Sequence, residues 1–126
     1  MSSGVTKIIL TDVPKRILPG GSWSSMLITS ERVPRNRASL GYSLFTPGSV
    51  SDPIAHETEE LVFVVKGKGE LRTEDGDTEV AVDDALHIPP RIWHWIANTG
   101  NEDLVMVFSF PVPEYPTTER RSVPAD

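Results

Sequence analysis

The residues of this chain best suited to chemistry are its three histidines and the carboxylates around them, and all three histidines fall within two short stretches. The first runs from Gly48 to Gly67 (GSVSDPIAHETEELVFVVKG), the second from Asp83 to Asn98 (DDALHIPPRIWHWIAN). Together they carry His56, Glu60 and His94. Imidazole nitrogens and a carboxylate oxygen arriving from separate strands are what a protein needs to hold a divalent ion. The chain has no cysteine, which excludes a thiolate nucleophile, a disulfide framework and a Cys-type zinc site. Any metal must therefore be held by imidazole and carboxylate. Gly67-Lys68-Gly69 reads as a close turn between strands rather than a phosphate-binding loop.

The framework that must position these side chains is β. Helical periodicity is almost absent, and short apolar or alternating runs recur between clusters of Gly, Pro, Asn and Asp, the pattern of a sandwich or barrel. Strands are expected at 7–10, 22–28, 39–46, 60–66, 69–73, 78–82, 85–88, 94–98 and 104–110. Asp75-Gly76 marks a tight hairpin, and Thr99-Gly100-Asn101 a second turn. Pro89-Pro90 cannot sit in a central ladder and forces a corner just before His94. The tail 111–126 is rich in proline and charge, as a flexible or strapped extension would be.

Side chains two apart on a strand share a face. His56 and Glu60, four apart, point the same way if the chain is extended between them. Ile92, His94, Ile96 and Asn98 share one face, and Trp93, Trp95 and Ala97 the other. With the His94 face inward, the tryptophans look out, toward a dimer contact or a covered patch. Glu60 has an alternative to a metal, namely pairing with Arg72 or Arg91. His87 reads as an outward or interface residue. Tyr42 shares parity with Leu40 and Leu44, as a core tyrosine or as a phenol donor to a bound substrate.

A chain of 126 residues suits one compact domain. Its net charge of -6 is uneven: six basic and two acidic residues precede Asp52, and the remainder is strongly acidic. Such a balance argues against nucleic acid, which wants a contiguous basic face. No apolar run is long enough to span a bilayer, and the N-terminus lacks the pattern of a signal peptide, so the expected compartment is the cytoplasm. Leu61-Val62-Phe63-Val64-Val65 is apolar on both faces, and together with the tryptophans it leads us to expect a homodimer.

The two histidine-bearing stretches resemble the paired motifs of the cupin superfamily. The first motif reads Gly, five residues, His-x-His, three or four residues, Glu, six residues, Gly. Here Gly48 is followed, after five residues, by Ile54-Ala55-His56, then after three by Glu60 and after six by Gly67. The second reads Gly, five residues, Pro-x-Gly, two residues, His, three residues, Asn. Here Asp83 is followed, after five residues, by Pro89-Pro90-Arg91, then after two by His94 and after three by Asn98. The resemblance implies an all-β double-stranded β-helix, the jelly-roll barrel, filling a single domain 1–126. Its motif core would be 39–110, with N-terminal strands in 1–38. It also implies that His56, Glu60 and His94 are metal ligands, with Ile54 standing where the family has its first histidine. Two imidazoles and one carboxylate suit a facial site with open positions for Fe, Mn, Zn or Ni. Asp83 and Arg91 replace the glycines of the second motif at positions that turn the chain. The implied function is a small metal-dependent enzyme with Glu60 in its catalytic centre. Tyr42, Ile54, Ile92, Ile96 and Asn98 would line an apolar cavity for an aromatic or enolisable substrate. Dioxygenase, isomerase, decarboxylase and lyase chemistry all fit. The alternative is a non-catalytic cupin that binds or senses a small molecule without metal.

Overall fold

Short runs of β-branched and aromatic residues, broken by glycine, proline and aspartate, form eleven strands in the computed structural model, which describes residues 3–122. They are β1 (Arg16–Ile17), β2 (Trp23–Ile28), β3 (Ser39–Phe45), β4 (Ile54–His56), β5 (Glu60–Lys66) and β6 (Lys68–Thr73). β7 (Gly76–Ala81), β8 (Ala85–Ile88), β9 (His94–Ala97), β10 (Leu104–Phe110) and β11 (Thr118–Arg120) complete the order. Two antiparallel sheets face each other as a jelly roll, one ordered β1-β2-β3-β10-β5-β8 and the other β11-β4-β9-β6-β7. Among the described residues no helix is long and apolar enough to cross a membrane.

Burial alternates along the long strands β3 and β5. In β5, Glu60, Val62 and Val64 are buried, while Leu61, Phe63 and Val65 are exposed on the outer face. β5, β8 and β10 have the expected bounds. The segment 7–10 is not a strand; it is unpaired until a 3-10 turn at Leu10–Asp12. β1, β4 and β11 were not expected, because two or three residues are too few to show a period. The hairpin turn lies one residue earlier than Asp75-Gly76: Thr73 pairs with Gly76 and leaves Glu74-Asp75 as the loop. Thr73 Oγ1 fixes it, accepting from the Asp75 N–H and donating to the Gly76 carbonyl.

Between the sheets, Val64 and Leu104 pack with Leu71 and Val80 in an apolar core that continues into Phe45, Val62, Ile96 and Met106. Gly41 is buried opposite Phe108 in the β3–β10 register, and the Phe108 ring fills the space a Cβ at position 41 would need. Gly67 turns the chain from β5 to β6 at φ 84°, with its α-carbon against the Asp103 carbonyl, so that a side chain would clash as well as strain. Asp83 and Arg91 take φ 74° and 63°, the left-handed conformation their positions demand, without a glycine to relieve it. The tail to Ser122 is strapped: the Glu57 N–H donates to the Thr117 carbonyl, and the Arg121 N–H to that of Pro53.

Candidate metal centre

His56 ends β4 and His94 opens β9, both in the five-stranded sheet, while Glu60 opens β5 in the six-stranded one. The chain is not extended between His56 and Glu60. It bends over residues 57–59 and changes sheet, so the two side chains meet across the interior rather than along one strand. His56 Nε2 lies 3.1 Å from Glu60 Oε1 and His94 Nε2 lies 3.5 Å from it. One ligand atom from each of the three residues falls within 4.8 Å of the others, and all three residues are buried.

The outer nitrogen of each ring settles what the inner one can do. His94 Nδ1 is 2.8 Å from the Ile92 carbonyl, which only accepts, so Nδ1 carries the proton. Thr118 Oγ1 donates its single proton to the Pro116 carbonyl at 2.8 Å, and therefore accepts from His56 Nδ1–H at 2.7 Å. With Nδ1 donating on each ring, it is Nε2 that faces Glu60, as a lone pair on a neutral ring and as a second N–H on a protonated one. The edges of Phe110 and Tyr115 hold the His56 ring at centroid distances of 4.9 and 5.5 Å. Glu60 Oε1 is buried without a hydrogen-bond partner. Burial pushes its carboxyl up, but the hydrogen-bonding capacity and charge of the two imidazoles pull it down further, and the net lies below the usual carboxylate value. A buried carboxylate oxygen between two imidazole nitrogens calls for a cation, either a proton on an imidazole or a metal ion, and the donor set suits a divalent one.

These donors form the floor of a cavity of about 130 Å³ whose walls include Phe45, Ile54, Ile96, Met106 and Phe108. Ile54 and Ile96 line this cavity. Tyr42, Ile92 and Asn98 do not line it. Tyr42 is on the outer face of β3, stacked on Trp23 at 5.6 Å, because the inner positions are Ser39, Gly41, Ser43 and Phe45. Ile92 precedes β9 and is 37% exposed. Asn98 lies just past β9, where its side-chain amide donates to the Phe45 and Glu102 carbonyls and its oxygen accepts from the Gly100 N–H. It clamps a turn.

Neither arginine pairs with Glu60: Arg72 pairs with Glu70 at 3.1 Å, and Arg91 is exposed on its turn. His87 is exposed beside Glu59 at 3.3 Å. Trp93 is covered by Arg121, whose guanidinium stands 3.7 Å from the ring centroid, and Trp95 borders the cavity. Sequence reasoning missed Thr118, Tyr115, Arg16 and Arg120, all at or near the cavity. They lie outside both motifs, and no spacing rule points to them.

The Cupin_2 model of the cupin domain matches residues 41–110, more than half of the chain. This chain is a cupin. Over 85 residues, 66% of its length, the cupin is 31% identical to an uncharacterised protein of Methanocaldococcus jannaschii, 68% of which is matched. Over 74 residues, 58% of its length, it is 31% identical to a gentisate 1,2-dioxygenase of Aquipseudomonas alcaligenes; the match spans only 21% of that enzyme. The polyketide cyclase RemF from Streptomyces resistomycificus has the same fold, with a TM-score of 0.79 at 21% identity over 97% of this cupin and 89% of that chain.

Proposed function

We propose that this cupin is a metal-dependent enzyme acting on a small apolar, aromatic or enolisable organic molecule, with His56, Glu60 and His94 as the ligands. The observation that carries this reading is the buried Glu60 Oε1, without a hydrogen-bond partner and flanked by two imidazoles whose Nδ1 protons are committed to Thr118 and Ile92. Resemblance to a dioxygenase and a polyketide cyclase supports enzymatic use of the site. A divalent Fe, Mn, Zn or Ni ion in such a site supplies Lewis acidity toward a carbonyl or enolate oxygen. The protein's part is to bring the substrate there in a dry, shaped space. Ile54, Ile96 and Phe108 exclude water and orient an apolar body against the donors. Ile54 offers no donor beside His56, so three protein ligands leave coordination open for substrate. Metal analysis of protein purified without chelator is expected to give about one equivalent per chain, and Glu60→Gln to lose it with the fold intact. A metal-free protein that cannot be reloaded overturns the reading.

A second reading, a non-catalytic cupin that binds a small molecule, is favoured by the apolar Ile54 at a donor position. Ligand binding unchanged in Glu60→Gln selects it. We also propose that the exposed outer row Leu61, Phe63 and Val65 of β5 mediates a homodimer. Sedimentation as a monomer at micromolar concentration refutes that assembly.

A further inference from the structure

β1 and β11 are edge strands, one in each sheet, and each brings an arginine to the mouth of the cavity. Arg16 pairs in register with Ser24, and Arg120 with Ile54. Residues paired in this way share a face, and all four line the cavity. The row Arg120, Ile54, His94 crosses three adjacent strands. The Arg120 backbone thus stands two strand spacings, roughly 10 Å, from that of His94.

Two features leave these arginines available at the cavity. Among the described residues neither forms an ion pair, whereas Arg72 pairs with Glu70 and Arg121 with Glu74. Arg16 has only the Tyr115 ring beneath it, 6.0 Å from its guanidinium carbon. The chain as a whole carries a net charge of -6, yet its mouth gathers two guanidinium groups against the single carboxylate of Asp52. A guanidinium fork matches a carboxylate in geometry and charge. Beneath it lies a mostly apolar chamber of about 130 Å³, similar to the roughly 150 Å³ cavity that takes a benzene ring.

We infer that the cavity takes a small aromatic carboxylate, with the anionic group held at the mouth by Arg16 and Arg120 and the ring in the chamber above the metal donors. This rests on the cavity being the ligand site of the proposed function, but not on a metal being present. The test is ligand-observed fluorine NMR titration with 4-fluorobenzoate and its neutral counterpart 4-fluorobenzamide, on chelator-treated and on zinc-loaded protein. The expected result is a preference of at least about tenfold for the carboxylate in both forms. It should shrink in Arg16→Gln and in Arg120→Gln, and vanish in the double variant, with circular dichroism unchanged. Equal affinity for the two probes, no binding of either, or a preference that survives the double substitution overturns the inference. A protein that takes up no zinc yet keeps the arginine-dependent preference refutes the metal reading alone.

Discussion

Replacing Thr118 by valine removes one oxygen and almost nothing else. Valine keeps the shape, favours the strand, and leaves the backbone pairing of Thr118 with His56 in place. What disappears is the acceptor 2.7 Å from His56 Nδ1 and the donor to the Pro116 carbonyl. The second loss weighs on both states alike; the first falls on one. Without metal, the imidazole escapes by moving its proton to Nε2, where Glu60 Oε1 at 3.1 Å receives it. With metal bound, Nε2 is committed and Nδ1–H is left buried and unsatisfied, a penalty of about 1–3 kcal/mol. At 1.4 kcal/mol per tenfold this weakens metal binding by about 5- to 150-fold, in line with the 10–100-fold typical for loss of a group that orients a ligand. Zinc titration against a chromophoric chelator reads the loss directly. Thr118→Ser should stay within about twofold of the parent, since it retains the hydroxyl. Metal-free Thr118→Val should lose only about 1 kcal/mol in urea unfolding, the worth of the bond to the Pro116 carbonyl. Zinc affinity unchanged in Thr118→Val would falsify the tautomer argument and, with it, the role of the strap.

Three further outcomes follow from the geometry. Ile54→His adds a donor two residues from His56 on β4; structural zinc sites of four ligands give about 10–16 kcal/mol, so one more ligand should tighten zinc binding by about a hundredfold, and an unchanged affinity shows that position 54 does not reach the ion. Arg91→Gly relieves a left-handed residue at a cost in chain entropy, for a net gain of about 0.5–1 kcal/mol in urea unfolding; Asp83→Gly should gain less because aspartate tolerates that conformation better, and a loss of stability at both refutes the strain. Glu60 has a folded carboxyl value held below its unfolded 4.5, so in metal-free protein it contributes stability above about pH 4.5 that is lost as pH falls through the lowered value. The unfolded state binds more protons in that window, so parent stability should fall more steeply there than that of Glu60→Gln, and parallel profiles contradict the assignment.

β5 was legible as an unbroken run rich in β-branched and aromatic residues and closed by Gly67, and its bounds follow directly, although which face is buried does not show in so apolar a run. The three donors were legible as a spacing, but the reason they meet was not. His56 and Glu60 converge through a change of sheet over 57–59, which no parity argument sees. β3 misled for a different reason. Its inner face is Ser39, Gly41 and Ser43, small because the Phe108 ring and the cavity occupy that space, while the apolar Leu40, Tyr42 and Leu44 face outward. Polarity alone assigns such a strand backwards. Thr118 was invisible because it reaches His56 from 62 positions away, in a tail whose proline and charge read as loop.

The seating of Phe108 over Gly41 makes the chamber's capacity a property of two positions rather than one. The ring is part of the cavity wall, and it stands where it does only because its neighbour across the ladder has no side chain. A methyl group at 41 must push the aromatic inward and shrink the chamber, unless 108 is trimmed in the same step. Gly41→Ala with Phe108→Leu therefore redistributes volume while leaving His56, Glu60 and His94 untouched. A scaffold with such a dial can change which molecules it admits without rebuilding the centre beneath them.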